Sequence, residues 1–172
     1  MFLVVFAVAA ATGRSDTGPE PAVLLAAGDI AGCGWAQDDE TAQILDAHPA
    51  GTVAALGDTV YDNGTAQEYA ACYEPNWGRH KSRTRPAAGN HEYFTPGAAG
   101  YYGYFGPAAG QPSKGYYSYD LGDWHVVVLN SECWAVGGCG PGSLQEQWLG
   151  ADLAADLSDC TLAYWHHPRF SS

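Results

Sequence analysis

Gly89-Asn90-His91-Glu92 closes a short apolar run, Pro86-Ala87-Ala88, and sets a neutral amide oxygen beside an imidazole. Two earlier runs close in the same manner: Leu24-Leu25-Ala26-Ala27 at Gly28-Asp29, and Val53-Ala54-Ala55-Leu56 at Gly57-Asp58. A fourth run, Thr161-Leu162-Ala163-Tyr164-Trp165, stops at His166-His167-Pro168. Short continuous apolar runs of this kind read as strands buried in a parallel sheet. Each of the four stops at a residue that binds a metal or moves a proton. In open α/β sheets, sites gather outside the carboxyl ends of the strands. The four ends are therefore expected to meet at one metal centre.

The segments between these runs support an α/β order. Asp38 to Ala47 reads as a helix with acidic residues at its N-terminus, favourable to the helix dipole, and Pro49 stops it. Thr65-Ala66-Gln67-Glu68 has capping-box spacing, so a short helix is expected to run to about Cys72. Arg79, Lys81, Arg83 and Arg85 form a basic cluster that reads as a solvated loop or helix end. Phe94 to Gln111, rich in Gly, Ala and Tyr, reads as a loop, either walling a pocket or packing over a sheet edge. Tyr116–Asp120 and Trp124–Leu129 read as a β-hairpin around Leu121-Gly122-Asp123, with His125 in a structural role. Ser143-Leu144-Gln145-Glu146 opens a helix to about Leu157, with Leu144, Trp148, Ala151 and Ala155 on its apolar stripe.

A chain of 172 residues, 47% hydrophobic and 15% charged, suffices for one domain with a real core and is not a disordered segment. Its net charge of −12 argues against general nucleic-acid binding, which needs a basic surface. A phosphorylated small molecule stays compatible, because bound cations reverse the local sign. Met1 to Ala11 is apolar but shorter than the ~20 residues that span a bilayer. With Ala7-Val8-Ala9 and Ala9-Ala10-Ala11 as small-residue cleavage candidates, residues 1–14 read as a signal peptide; a buried first strand is the alternative. Residues 15–21 then form a spacer and 22–172 the folded domain. A secreted or extracytoplasmic chain makes disulfides the default reading of five cysteines. Cys33–Cys72 is the preferred pair, and one of Cys133, Cys139 and Cys160 is left over.

Asp29 and Asp58 each follow a glycine, which allows a sharp turn that aims the carboxylate inward. Tyr61, three residues after Asp58, can return to the same cavity, and Asn90 and His166 add an amide oxygen and an imidazole. Oxygen and imidazole donors suit hard or borderline cations. Taken together and in order, Gly28-Asp29, Gly57-Asp58-Thr59-Val60-Tyr61, Gly89-Asn90-His91-Glu92 and His166-His167-Pro168 resemble the motifs of calcineurin-like metallophosphoesterases. The Asp58-to-Tyr61 spacing is similar to the purple acid phosphatase branch.

The resemblance implies a layered α/β/β/α sandwich. It implies Asp29 and Tyr61 on a first metal, Asp58 bridging, Asn90 and His166 on a second, and His91 as the catalytic group toward the leaving group or phosphate. Asn90, His91 and His167 are the candidates for substrate contact, with Arg169 beside them. Glu92 either orients His91 or is a solvated neighbour. A tyrosinate favours iron at the first site, and the second accepts zinc, manganese or iron. The implied activity is phosphomonoester hydrolysis by a metal-bound hydroxide. Alternatives are a phosphodiesterase or nucleotidase with the same centre, or a non-catalytic secreted binding domain. The family's Gly-His-x-His-type motif does not follow His166-His167, so the second sheet is expected to be incomplete, the domain to lack its C-terminal part, and these 172 residues to bind metal poorly and show little activity. The implied partner is a phosphorylated small molecule, without nucleic acid or membrane.

Overall fold

The computed structural model describes residues 4–7 and 22–168. Its strands and helices follow in the order β1 (Val4–Ala7), β2 (Val23–Ala27), β3 (Ala31–Gly32), α1 (Gln37–Asp46), β4 (Thr52–Leu56), β5 (Val60–Tyr61), α2 (Ala66–Glu68), β6 (Thr84–Ala87), α3 (Ala99–Phe105), β7 (Tyr117–Leu121), β8 (Trp124–Val128), α4 (Leu144–Ala155) and β9 (Cys160–Tyr164). The fold is mixed α/β. One sheet has the order β1-β2-β4-β6, a second β7-β8-β9, and β3 and β5 form a two-stranded ladder. β2, β4 and β6 are parallel, with Ala27 opposite Ala55 and Leu56 opposite Ala87, so their carboxyl ends lie side by side. β1, within the segment read as a signal peptide, runs antiparallel to β2. The cleavage candidates, the spacer and Arg169 lie outside the described residues.

Alternation along β2 and β4 explains why these runs are apolar throughout. Leu25, Ala27, Val53 and Ala55 face one cluster with Ala42 and Leu45 of α1 and the aromatics Tyr69, Tyr73, Trp77 and Tyr101. Leu24, Ala26 and Ala54 face the other way, onto Val126, Val128 and Tyr164 of the second sheet. Strands covered on both faces have no polar side to alternate with. Beyond the second sheet lies α4, where Trp148 packs on Tyr116 with ring centroids 4.9 Å apart and Asp152 accepts a 2.7 Å hydrogen bond from Ser118 Oγ.

The α2 capping box forms as its spacing predicts: Thr65 Oγ1 accepts from Glu68 N at 3.2 Å, and Glu68 Oε2 accepts from Thr65 N at 2.8 Å. The chain continues as a π-helical turn over Tyr69–Tyr73. Of the basic cluster, Arg79, Lys81 and Arg83 lie on a 3-10 helix, Trp77–Arg83, tied to the end of α1, and Arg85 lies in β6. Arg83 donates to Leu45 O at 2.7 Å and His48 O at 3.1 Å, two carbonyls at and just past the end of α1 that also accept backbone N–H groups. Arg79 pairs with Asp46 at 2.8 Å. The basic side chains of Arg79 and Arg83 are therefore committed to α1.

Two sequence expectations are corrected. Phe94 to Gln111 is not a loop but a series of short helices including α3. Tyr101, Tyr102 and Phe105 are buried, and burial of these rings outweighs the poor helix propensity of the intervening glycines. The stripe on α4 is also misassigned: Leu144, Ala151 and Ala155 are exposed, while Gln145 is buried and Trp148, Leu149 and Asp152 are half-buried. Polar anchors orient the helix. Gln145 accepts from Asn130 N at 2.8 Å and donates to Asn130 O at 3.0 Å. Asp152 holds His125 Nε2 at 2.8 Å. Cys33–Cys72 and Cys133–Cys139 are disulfides, leaving Cys160 as a thiol.

Candidate metal centre

Past β2 and β4 the two chains stay in register. Asp29 N donates to Gly57 O at 3.1 Å, Ile30 N to Asp58 O at 3.0 Å and Ala31 N to Thr59 O at 3.2 Å, leading into the β3–β5 ladder. At this crossing both Asp29 (φ 54°) and Asp58 (φ 46°) adopt the left-handed conformation. Few residues other than glycine enter that region, and Asp is among those that do. Strained backbone of this sort concentrates at functional sites. The paired kink turns two carboxylates out of adjacent strands toward the same place. Gly57 (φ 84°) precedes Asp58, and a Cβ there would lie 2.6 Å from Cβ of His166. Glycine is thus required twice over, for its dihedral and for the approach of the imidazole from the second sheet.

The phenol of Tyr61 joins the two carboxylates. Its hydroxyl donates to Asp29 Oδ1 and lies 3.2 Å from Asp58 Oδ2. His166 Nε2 lies 3.4 Å from the same Asp58 oxygen and His91 Nε2 3.9 Å from it. Both imidazoles are oriented from behind: His166 Nδ1–H donates to Leu56 O at 2.9 Å, and His91 Nδ1–H to Asp62 O at 2.5 Å. Each Nε2 is left as the nitrogen facing Asp58. Backbone or carboxylate acceptors commonly fix metal-binding histidines in this way. His91 N also donates to Asp58 Oδ1 at 2.9 Å. Asp29, Tyr61 and His166, together with Trp35 and Trp165, line an open cleft of about 580 Å³.

Asn90 and His167 form a neighbouring pair. The amide oxygen of Asn90 faces His167 Nε2 at 3.0 Å. His167 Nδ1 lies 2.9 Å from Glu132 Oε1, and Ser131 Oγ accepts from His167 N at 3.0 Å. The structure thus gathers Asp29, Asp58, Tyr61, His91 and His166 around one point, and places Asn90 and His167 beside it, bonded to each other.

Glu92 corrects the solvated-neighbour reading. It is fully buried. Oε2 accepts from Asp58 N at 2.9 Å and Gly89 N at 2.7 Å; Oε1 accepts from Thr59 N at 2.7 Å and Thr59 Oγ1 at 3.0 Å. This carboxylate binds the end of β4 to the end of β6. Glu132, also buried, was missed. The available signal was that Val126-Val127-Val128-Leu129 is a further apolar run ending at polar Asn130-Ser131-Glu132.

The electrostatics follow from this geometry. Burial pushes the Asp58 carboxyl up, but the bond to His166 and the His91 N–H outweigh it and hold Asp58 below the usual carboxylate range. Burial opposes protonation of His166, yet Asp58 dominates and raises the imidazole to about 9. Burial, the bond to Asp29 and the negative charge of both carboxylates push the Tyr61 phenol far up. Burial also raises Glu92 against the pull of its N–H donors. Two carboxylates, a phenol and a backbone-anchored imidazole make an oxygen-rich, anionic donor set that fits a hard or borderline cation. No protein-family model matches the chain, and no curated protein matches it.

Proposed function

We propose that this protein is a phosphoric-ester hydrolase, a phosphomonoesterase of the calcineurin-like, purple acid phosphatase-like kind, built as an α/β/β/α sandwich around a dinuclear metal centre. The observation that carries the reading is the Tyr61 hydroxyl against Asp29 and Asp58 at once, with two imidazole nitrogens turned to the same Asp58 oxygen. Asp58, faced at Oδ2 by Tyr61, His91 and His166, would be the ligand shared by both ions. Asp29 and Tyr61 would hold one ion, iron by the preference of a phenolate, and His166 with Asn90 the other, zinc, manganese or iron. Asn90 would have to turn its amide oxygen away from His167. When bound, such a pair of cations supplies the charge that activates water and neutralises the phosphoryl oxygens.

The chain's own residues do the rest. Asp58 and Asp29 would hold the cations, and their carboxylates set the local charge. His91, held by Asp62 O, presents Nε2 for proton transfer to the departing oxygen, a contribution of about 10²–10⁴-fold. His167 and Asn90 stand where the phosphate oxygens would be oriented. Two disulfides indicate an oxidising compartment. No helix among the described residues is long and apolar enough to cross a membrane. A secreted or extracytoplasmic location completes the proposal, with Val4–Ala7 in the sheet as the first strand rather than in a removed leader.

The test is metal content and aryl-phosphate hydrolysis, with iron and zinc supplied, of the chain carrying a Gly-His-x-His-type segment after residue 172. Two equivalents and turnover are expected, both lost in Asp58→Asn. Absence of bound metal, or turnover untouched in Asp58→Asn, overturns the reading.

A further inference from the structure

Beside the cleft lies a second cavity of about 470 Å³, within the size range of small-molecule pockets. Leu129, Leu149, Trp165, His167 and the Cys133–Cys139 disulfide line it. Trp165 lines the cleft of Asp29, Tyr61 and His166 as well, so the two spaces share one wall.

Most polar groups of this cavity are already committed, the Ser131 hydroxyl keeping its proton to donate. Gln145 spends its oxygen on Asn130 N and its nitrogen on Asn130 O. His167 faces Asn90 and Glu132. Glu146 is the one carboxylate of the lining, and it disfavours a second anion. A carbohydrate or nucleotide would find few free partners there, and burying its unpaired hydroxyls would be costly. An aromatic group would find aliphatic surface, a disulfide and an indole face.

We infer that this cavity receives the leaving group of the substrate, and that the substrate class is phosphoric esters of aromatic or otherwise apolar alcohols. The inference rests on the hydrolase reading for the position of the phosphoryl group. With that group against Asp29, Asp58 and His166, the ester oxygen points across Trp165 and the organic part enters between Leu129 and Leu149. Trp165 and Leu149 then set specificity without touching the reacting atoms.

Two measurements on the full chain test this. The first is calorimetric titration of metal-free protein with 1-naphthol, the leaving group alone. The second compares kcat/KM for 1-naphthyl phosphate and glycerol 2-phosphate on metal-loaded protein. Binding of 1-naphthol is expected, weakened about tenfold or more in Leu149→Glu and in Trp165→Ala. Leu157→Glu, at a position 95% exposed, leaves it unchanged. The preference for the naphthyl ester over glycerol 2-phosphate should collapse by a similar factor in Leu149→Glu. No naphthol binding, or equal losses on both esters, overturns the inference while leaving the hydrolase reading intact. Naphthol binding without hydrolysis of either ester overturns the hydrolase reading and the leaving-group role together.

Discussion

Glu92 shows how a single buried side chain can position a site it does not enter. Each of its oxygens accepts from a backbone donor that cannot turn away, Asp58 N and Gly89 N on one and Thr59 N on the other, with the Thr59 hydroxyl adding a further bond. Glu92→Gln therefore fails despite matching shape, because either orientation of the amide sets an NH₂ against an N–H. The expected loss is about 1–3 kcal/mol of stability, read by urea denaturation, together with weakened metal uptake. A variant as stable as wild type would show that the bonds are incidental. At this scale the sequence was legible where chemistry is local. Asp29, Asp58, Tyr61 and His166 follow apolar runs at spacings that announce convergence. Glu92 was not, because a carboxylate after Asn-His looks the same on paper whether solvent or three amides surround it.

At the scale of elements, α4 is held by polar clasps rather than by an apolar stripe. His125 is buried between the hairpin and the helix, with Nε2 2.8 Å from Asp152 and Nδ1 3.1 Å from Asp120 and 3.6 Å from Asp156. The bond to Asp152 is the chief cause of a raised imidazole pKa; burial opposes it, and Asp120 and Asp156 add to it. The folded value lies above the unfolded one, so the protonated clasp stabilises the fold fully below about pH 6.5. That stabilisation is lost as pH rises through the folded value. The difference in melting temperature between wild type and His125→Gln should shrink as pH is raised from 6; a constant difference would remove His125 from this role. The helix itself was legible from its cap, since Ser143 Oγ accepts from Glu146 N. Its buried face was not, because Gln145 and Asp152 face inward to meet partners distant in sequence. α3 was missed for the complementary reason: Gly100 and Gly103 mask a helix whose formation depends on packing of Tyr101 and Phe105.

The whole molecule is joined by its sheets meeting face to face and by two covalent links of unequal span. Cys33 and Cys72 are 39 residues apart, Cys133 and Cys139 only 6. Loop-closure entropy assigns about 4 kcal/mol to the first and about 2 kcal/mol to the second. Replacing Cys33 and Cys72 by Ala should therefore lower the urea midpoint further than replacing Cys133 and Cys139. The reverse order would mean that the short bridge secures tertiary packing beyond its own loop. The parallel pairing of β2, β4 and β6 was readable from apolar runs without a polar side, because strands covered on both faces have no other composition available. The placement of Asn90 against His167 was not, since it depends on how two sheets are set against each other.

The left-handed kink at Asp29 and Asp58 restricts which replacements the two positions admit, apart from any role in chemistry. Asn and Gly tolerate that backbone; valine, isoleucine and threonine resist it. A library randomised at these codons and sorted only for soluble yield should retain Asp, Asn and Gly. The same library sorted for turnover should retain Asp alone. The gap between the two surviving sets would separate what the polypeptide requires in order to fold from what its chemistry requires.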